Sequence, residues 1–432
     1  MKTIELIKEI KNTNTCPSYG KIIKIAGLIV EAVGLNSAVG EICKIKNGNE
    51  IHLCEVVGFC GDKTFLMPLS EVYSLKPNSL VYSSGKSMSI GVSEELLGRV
   101  LNALGQPIDF KGPIFFKDFY SIYSTPPNPL KRKRITKFIE TGVKCIDGFL
   151  TIGEGQRVGL FAGSGVGKST LVGMIARNSK ADVNVIALIG ERGREVREFI
   201  EKDLMEEGMK KSVVVVSTSD QSALLRIKAA FTATTIAEYF RDRGKKVMLI
   251  MDSVTRFAMA QREIGLSIGE PPTVKGYPPS VFAMLPKLLE RTGQGDTGSI
   301  TGIYSVLVDG DDHNEPIADA VRGILDGHIV LSRELAFKNQ YPAIDILFSI
   351  SRLMPDIVSK EHLLIASKIR DIMAVYRQYE DMIKIGAYTK GSNHELDYAI
   401  EKMPKIIDFI KQQIKEKVDF NLTLDKLKGV LQ

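Results

Sequence analysis

The chain has 432 residues, 44% of them hydrophobic and 25% charged, which is the composition of a soluble globular protein with two or three domains. A net charge of +6 is too mild to indicate nucleic acid by itself, and no apolar run approaches the ~20 residues of a membrane helix. The five cysteines have no paired spacing, which argues against a disulfide scaffold or a zinc site and fits a reducing cytosol.

The chain begins with a segment that predicts a short amphipathic helix over residues 1–18. Ile4, Ile7 and Ile10 share one face of this helix. Two roles stay open for it. It either packs on the chain's own body or docks on a partner or a membrane surface.

Residues 19–92 contain short β-rich runs between turn residues and predict a small β-barrel. The runs are Ile22–Val33, Ala38–Ile45, Glu50–Gly58 and Thr64–Pro68. A barrel that binds single-stranded nucleic acid needs exposed aromatic side chains interleaved with basic ones. The aromatic residues here lie in mainly apolar contexts, so we expect a structural barrel and no nucleic-acid partner; they are Phe59, Phe65, Tyr73 and Tyr82.

Residues 93–140 are predicted to be a connector. Leu97–Gly105 favours a short helix with a glycine cap, and Pro126, Pro127 and Pro129 then interrupt regular structure. The basic run Lys131–Arg134 is typical of a solvated linker, and contact with an acidic partner is the alternative.

Residues 141–354 have the pattern of a large α/β unit. Apolar strand-like runs alternate with helical stretches such as Arg194–Glu207 and Ser222–Arg243. This alternation predicts a mostly parallel sheet that is covered on both faces and binds its ligand at the carboxyl ends of the strands. The runs are Val158–Ala162, Val183–Ile189, Ser212–Ser217, Lys246–Asp252 and Ile300–Val308.

Residues 355–432 predict a small helical domain. Ile365, Ile369 and Ile372 recur at helical spacing, and Ile407, Ile410 and Ile414 do so after the loop at residues 390–393. We expect these stripes to be core. The acidic loop at residues 309–316 is expected to be solvated or to lie at an interface.

The stretch from residue 157 to residue 171 predicts a phosphate-binding loop between a buried strand and a helix. Gly163, Gly165 and Gly167 allow successive backbone N–H groups to face an anion. Lys168 can reach the β- and γ-phosphates, and the Ser169 hydroxyl can ligate Mg²⁺. The sequence therefore predicts a nucleotide site.

Three charged residues follow strand-like runs. Asp252 can hold Mg²⁺ through water, although many such carboxylates only cap helices. Glu191 can orient and deprotonate an attacking water, or it can be a surface helix cap. Arg352 can enter a neighbour's site if the protein forms a ring, or it can make a structural salt bridge, and spacing leaves both open.

In this order the motifs resemble the catalytic subunits of rotary ATP synthases, and most closely the flagellar and type III protein-export ATPases. The resemblance covers nearly the whole chain and implies a RecA-like P-loop NTPase core with an N-terminal β-barrel and a C-terminal helical domain. Ala162 matches the export branch, since synthase catalytic subunits carry Gly there. The most specific stretches are Ala162–Thr170, Gly190–Glu195, Leu249–Phe257, Gly276–Ser280, Asp311–Asp319, Gly327–Arg333 and Tyr341–Asp345.

The resemblance also implies ATP, Mg²⁺ and a role for each site residue. Arg192 would stand beside the base Glu191, Arg256 would line the γ-phosphate, and Arg352 would be an arginine finger. Tyr341 would stack on adenine, with Phe420 as a candidate for a second aromatic. Lys168 would act in catalysis as well as binding, and Ser169 and Asp252 would serve the metal. The phosphate loop would comprise Gly163, Ser164, Gly165, Val166, Gly167, Lys168, Ser169 and Thr170.

The implied assembly is a homohexamer in the cytoplasm at the inner-membrane base of the flagellar export apparatus. Its implied partners are a stator-like regulator, a central coiled-coil stalk protein, export-gate membrane proteins and chaperone–substrate complexes, with at most peripheral membrane contact. Alternatives are an injectisome ATPase, a rotary ATP synthase subunit, an RNA translocase and a non-catalytic nucleotide-binding scaffold. The presence of Glu191 argues against the last.

Overall fold

The computed structural model of the protein describes residues 19–48, 50–70, 75–308 and 315–432. The helix predicted over residues 1–18, Tyr73 and residues 309–314 of the acidic loop lie outside these ranges. Among the described residues, no helix is both long and apolar enough to cross a bilayer.

The first six strands close into the predicted antiparallel barrel, in the order β1-β2-β5-β4-β3-β6. Alternate side chains such as Ile22, Ile45 and Val81 are fully buried, because successive residues of a strand face opposite sides of the barrel wall. The run predicted at 22–33 is two strands, since the chain turns at Gly27 with a φ of +57°. The strands are β1 (Tyr19–Ala26), β2 (Ile29–Val33), β3 (Glu41–Asn47), β4 (Glu50–Cys60), β5 (Lys63–Pro68) and β6 (Leu80–Ser87).

Five short strands follow the barrel. β7 pairs with β9 and β10 with β11, both antiparallel, while β8 joins the large sheet described next. They are β7 (Ser89–Val92), β8 (Val100–Asn102), β9 (Asp118–Ser121), β10 (Phe138–Ile139) and β11 (Ile152–Gly153), with 3-10 turns at Glu94–Leu96 and Pro129–Lys131.

The central sheet has the order β19-β18-β12-β17-β15-β13-β14-β8, with β16 paired to β17. All neighbours along this order are parallel except β18 and β19, which run antiparallel. This confirms the predicted, mostly parallel sheet. The strands are β12 (Arg157–Ala162), β13 (Val183–Glu191), β14 (Ser212–Thr218), β15 (Lys246–Asp252), β16 (Gly293–Gln294), β17 (Ser299–Leu307), β18 (Gly327–Leu331) and β19 (Ile344–Ser351).

Helices accompany these strands in the chain. A π-helical turn at Phe199–Leu204 interrupts the helix predicted over residues 194–207, and a 3-10 turn lies at Val274–Gly276. The helices are α1 (Lys144–Phe149), α2 (Lys168–Asn178), α3 (Gly193–Glu198), α4 (Met205–Lys210), α5 (Ala223–Asp242), α6 (Val254–Ser267), α7 (Pro279–Leu289), α8 (Pro316–Ile324), α9 (Arg333–Phe337) and α10 (Met354–Ile357).

Both faces of the sheet are covered. Along β13, Val185 and Ala187 belong to one apolar cluster with α5, while Ile186 and Leu188 belong to a second cluster with α2. Strands buried on both faces read as continuous apolar runs, which is why the sequence revealed them.

The helix predicted over residues 97–105 is wrong. Val100–Asn102 is the edge strand β8, parallel to β14, and Leu101 is fully buried there. Gly98 and Gly105 have positive φ and end the strand in turns. Pairing with the sheet outweighs the weak helical preference of so short a segment. The predicted connector thus supplies one strand of the sheet, and the predicted domain limits stay predictions.

The chain ends in three long helices, α11 (Lys360–Lys384), α12 (His394–Ile410) and α13 (Phe420–Leu431). Ile369 and Ile372 are buried against α1 and β19, as expected of core positions. The second stripe stops at Ile410, because Ile414 lies beyond α12 and is 48% exposed.

A buried polar cluster joins the barrel to the central sheet. The Lys228 ammonium on α5 lies 2.5 Å from the Glu55 carboxylate on β4, and both side chains are at most 7% exposed. The Tyr123 hydroxyl donates to Glu55 at 2.7 Å and also contacts Lys228. These paired charges fix the barrel against α5.

Candidate active site

The loop between β12 and α2 has the backbone that an anion site requires. Gly165 and Gly167 have φ of 80° and 88°, a region that favours glycine. Val166 is buried and anchors the loop, and α2 begins at Lys168, so the unpaired N–H groups of its first turn lie beside the loop. Of the predicted phosphate-binding residues, Gly163 is also buried, Ser164, Gly165 and Ser169 are exposed, and Gly167, Lys168 and Thr170 are intermediate.

Lys168 brings two carboxylates together at the ends of adjacent strands. Its Nζ lies 2.5 Å from Oδ1 of Asp252 at the end of β15 and 3.8 Å from Oε1 of Glu191 at the end of β13. The side chains of all three residues are at most 17% exposed. Parallel strands place their carboxyl ends at one edge, so these three predicted residues meet as expected.

The environment of Glu191 suits a proton acceptor. Burial and the neighbouring Asp252 carboxylate raise the pKa of Glu191 to about 7, although Lys168 opposes this shift. A base works best when its pKa is close to the working pH.

Asp252 has a second donor that the sequence analysis missed. Ser305, fully buried on β17, donates its hydroxyl to Oδ1 of Asp252 at 2.7 Å. A serine near the end of the mainly apolar run 300–308 was the visible sign of it. Its partner was not predictable, because that depends on β17 lying next to β15.

Arg192 and Arg256 occupy different surroundings. Arg192 precedes α3, and its exposed side chain makes an ion pair with Glu195 at 3.5 Å. Arg256, on α6, packs its stem so closely on Gly190 that an added Cβ would lie 3.1 Å from the Cβ of Arg256. Among the described residues, the buried Nε of Arg256 has no hydrogen-bond partner.

Tyr341 lies beside the phosphate loop. Its ring is 3.5 Å from the position of a Cβ added at Gly167, and the residue is 44% exposed. The Tyr341 carbonyl accepts a hydrogen bond from the N–H of Gln412 at 3.0 Å. The Gln412 side chain donates to the Gly142 carbonyl and accepts from the Lys144 N–H, both at 2.8 Å. Gln412 is the second site neighbour that the sequence did not reveal.

Phe420 is engaged elsewhere. Its ring stacks on Phe138 with centroids 4.0 Å apart and meets His362 edge-on. These contacts hold the ring between β10 and α11, which argues against a place for it on a nucleotide base.

Arg352 lies at the opposite end of the sheet from the loop. Ser351 pairs with Gly327 at the start of β18, and the Arg352 N–H donates to the Asp326 carbonyl at 3.1 Å. The Asp326 N–H in turn donates to the Arg157 carbonyl at the start of β12. Arg352 is therefore not brought together with Lys168 in one chain.

The described residues fit a magnesium–nucleotide complex. The exposed Ser169 hydroxyl and the Asp252 carboxylate are oxygen ligands of the kind that Mg²⁺ prefers. Lys168 supplies a cation, and the Arg256 Nε is a buried donor without a partner in the described chain. A buried donor without a hydrogen bond destabilises the fold, unless a bound ligand accepts a hydrogen bond from it.

Comparison with known families supports the same architecture. The nucleotide-binding domain of the ATP synthase alpha/beta family matches residues 142–351, and the beta-barrel domain of that family matches residues 22–85. The C-terminal domain of the type III secretion ATPase EscN matches residues 358–429.

The chain is also similar to characterised proteins over nearly its full length. It is 56% identical over 417 residues to the flagellum-specific ATP synthase of Bacillus subtilis strain 168, covering 95% of each chain. It is 49% identical over 414 residues to the type 3 secretion system ATPase of Xanthomonas euvesicatoria, covering 95% of this chain and 94% of the relative.

Among solved structures, the assembled ATPase EscN from the type III secretion system of enteropathogenic E. coli superposes with a TM-score of 0.90 at 47% identity. The match covers 96% of this chain and 100% of that one. A second structure, EscN in complex with its central stalk EscO, gives a TM-score of 0.89. These matches confirm the predicted fold class.

Proposed function

The chain belongs to the ATP synthase alpha/beta family, in the branch of flagellar and type III secretion ATPases, and on this premise we propose that it hydrolyses ATP with Mg²⁺ to energise flagellar protein export. The observation that carries this proposal is the contact of Lys168 with Asp252, with Glu191 3.8 Å away, directly after a glycine-rich loop. Lys168 supplies a positive charge for the triphosphate. Asp252 supplies a ligand for the metal, and Glu191 supplies a base that accepts a proton from water.

Binding begins with an exchange of partners at Lys168. The triphosphate draws the Lys168 ammonium away from the Asp252 carboxylate, and the N–H groups of residues 163–170 donate to its phosphate oxygens. Ser169 and Asp252 would hold Mg²⁺, which would neutralise negative charge on the triphosphate. Tyr341 stacks on the base, and Arg256 satisfies its buried Nε with the γ-phosphate.

Hydrolysis then uses Glu191 as the base. Glu191 accepts a proton from water as the water oxygen bonds to the γ-phosphorus and the bond to ADP breaks, which yields ADP and phosphate. Arg192 stands next to the base, and Arg352 of the adjacent copy neutralises charge on the transferred phosphoryl group.

We further propose that six copies form a ring with ATP sites between subunits. The assembled state of EscN and its complex with a stalk protein support an oligomeric ring and a central stalk partner. A stator-like regulator, export-gate proteins and chaperone–substrate complexes complete the set of proposed partners, and the proposed location is the cytoplasmic base of the export apparatus.

An injectisome ATPase is the second candidate, because the chain is also similar to EscN and to the Xanthomonas relative, which are both ATPases of type III secretion systems. The two functions share their chemistry and differ in the secretion machine they serve. Restoration of motility in a flagellar ATPase deletion strain would separate them, since an injectisome ATPase should fail there.

The test of the proposed site is the Lys168→Ala variant. ATP binding by calorimetry and phosphate release should both fall by at least about 10²-fold, because the triphosphate loses its cation. Lys210→Ala, which removes an exposed lysine on α4, is the matched control and should behave as wild type. Unchanged hydrolysis by Lys168→Ala would refute the assignment.

A further inference from the structure

We propose that Ser305 is a positioning residue for the metal-binding carboxylate of Asp252. The inference rests on the proposed function and concerns a residue to which the motifs give no role. Ser305 is fully buried on β17, between β12, which leads to the phosphate loop, and β15, which ends in Asp252. Its register partner on β12 is Leu160, and its predecessor Tyr304 pairs with Met251 on β15.

Two donors converge on one oxygen of Asp252. Lys168 Nζ lies 2.5 Å from Oδ1, and the Ser305 hydroxyl donates to the same Oδ1 at 2.7 Å. The Asp252 side chain is only 5% exposed, so Oδ1 depends on protein donors and not on bulk water. Oδ2 receives neither of these bonds.

The two donors differ in what happens when ATP binds. Lys168 must turn to the phosphates, because its charge is needed there. Ser305 stays, because it lies within a strand bonded on both sides. After the exchange, Ser305 alone holds Oδ1, fixes the rotation of the carboxylate and leaves Oδ2 for the metal shell. Ser305 therefore matters more with magnesium–nucleotide bound than without it.

This predicts a specific pattern for Ser305→Ala. Affinity for ATP in the presence of Mg²⁺ should fall about 10-fold, which is the effect of one hydrogen bond to a charged group. Affinity for ATP in EDTA should change less than threefold. The KM for magnesium–ATP should rise more than kcat falls, and Ser305→Thr, which keeps the hydroxyl, should restore most of the magnesium-dependent affinity.

Ser299→Ala is a matched control. Ser299 is also fully buried on β17, and its hydroxyl donates to the Glu154 carboxylate at 3.2 Å, but at the opposite end of the strand from the loop. A purely structural loss of a buried serine–carboxylate bond should lower the melting temperature of either variant without changing the magnesium dependence of ATP binding.

The experiment is calorimetric titration of the full-length protein with ATP, with Mg²⁺ and with EDTA, together with thermal unfolding of the nucleotide-free protein. A magnesium-dependent loss in Ser305→Ala but not in Ser299→Ala supports the inference. Equal behaviour of the two variants, or of Ser305→Ala and Ser305→Thr, overturns it. Should Ser305→Ala not fold, Ser305→Cys carries the test. Wild-type protein that binds no ATP would instead refute the proposed function.

Discussion

Arg352 offers the sharpest test of a site shared between copies. Its own phosphate loop is out of reach, because Arg352 lies level with the start of β12 and the loop follows the end of that strand. Residues 157–162 at ~3.3 Å per residue place these levels about 16 Å apart, which exceeds the length of an arginine side chain. Arg352 can thus serve catalysis only in another copy.

The perturbation is a pair of inactive variants, Arg352→Ala and Lys168→Ala, mixed before assembly. Arg352→Ala alone should lose at least about 10³-fold in turnover, the usual cost of losing an arginine finger, and Lys168→Ala alone at least about 10²-fold. In a ring built at random from equal amounts, a working site needs an intact Lys168 in one copy and an intact Arg352 in the next. About one quarter of the sites meet both conditions, so about one quarter of the wild-type rate should return.

The assay is phosphate release against mixing ratio at a protein concentration where the wild-type rate per subunit has stopped rising. Arg352→Ala mixed with the double variant is the control and should stay inactive, because no pair of neighbours then supplies both groups. If activity stays absent at every ratio while the wild-type protein assembles normally, the shared site is refuted.

Glu191→Gln should bind ATP within a few-fold of wild type but hydrolyse it at least about 10²-fold more slowly, since an amide accepts no proton, and single-turnover kinetics would measure this. Lys228→Met should cost about 3–5 kcal/mol in urea unfolding because Glu55 stays buried without its partner, and retained stability would contradict the role of that pair. Burial opposes ionisation of Asp109, but hydrogen bonds from Arg99 lower its pKa from 3.8 to about 2, so the pair stabilises the fold above about pH 4 and this contribution is lost as the pH falls through about 2. Asp109→Asn should therefore lower the melting temperature at pH 6 and flatten its decline between about pH 4 and pH 2, and an unchanged acid profile would exclude this origin.

The sequence could predict features that depend on neighbours in the chain or on a general rule for parallel sheets. The loop at residues 163–167 depends on local glycines, and the meeting of Lys168 with Asp252 and Glu191 follows from the alignment of strand ends. The continuous apolar strands were visible for the same reason, because both faces of the sheet are covered.

Features set by distant pairing were not predictable. The run at residues 100–102 became a strand because an edge position beside β14 was open to it, which no local pattern records. The position of Arg352 along the sheet depends on β19 running antiparallel to β18, and the partner of Ser305 depends on the order of the strands. In each case the local sequence would be the same whichever strand lay beside it.

The hydrogen bond from the Gln412 N–H to the Tyr341 carbonyl links the nucleotide site to the C-terminal part of the chain. The Gln412 side chain is also hydrogen-bonded to Gly142 and Lys144, which precede β12 in the chain, and to Glu416, which precedes the last helix. If binding of the base shifts the Tyr341 backbone, either this hydrogen bond breaks or the C-terminal segment that begins at Gln412 moves with Tyr341. The nucleotide-bound and nucleotide-free forms should then differ in amide exchange at Gln412, more than 70 residues along the chain from the ring that we propose stacks on the base.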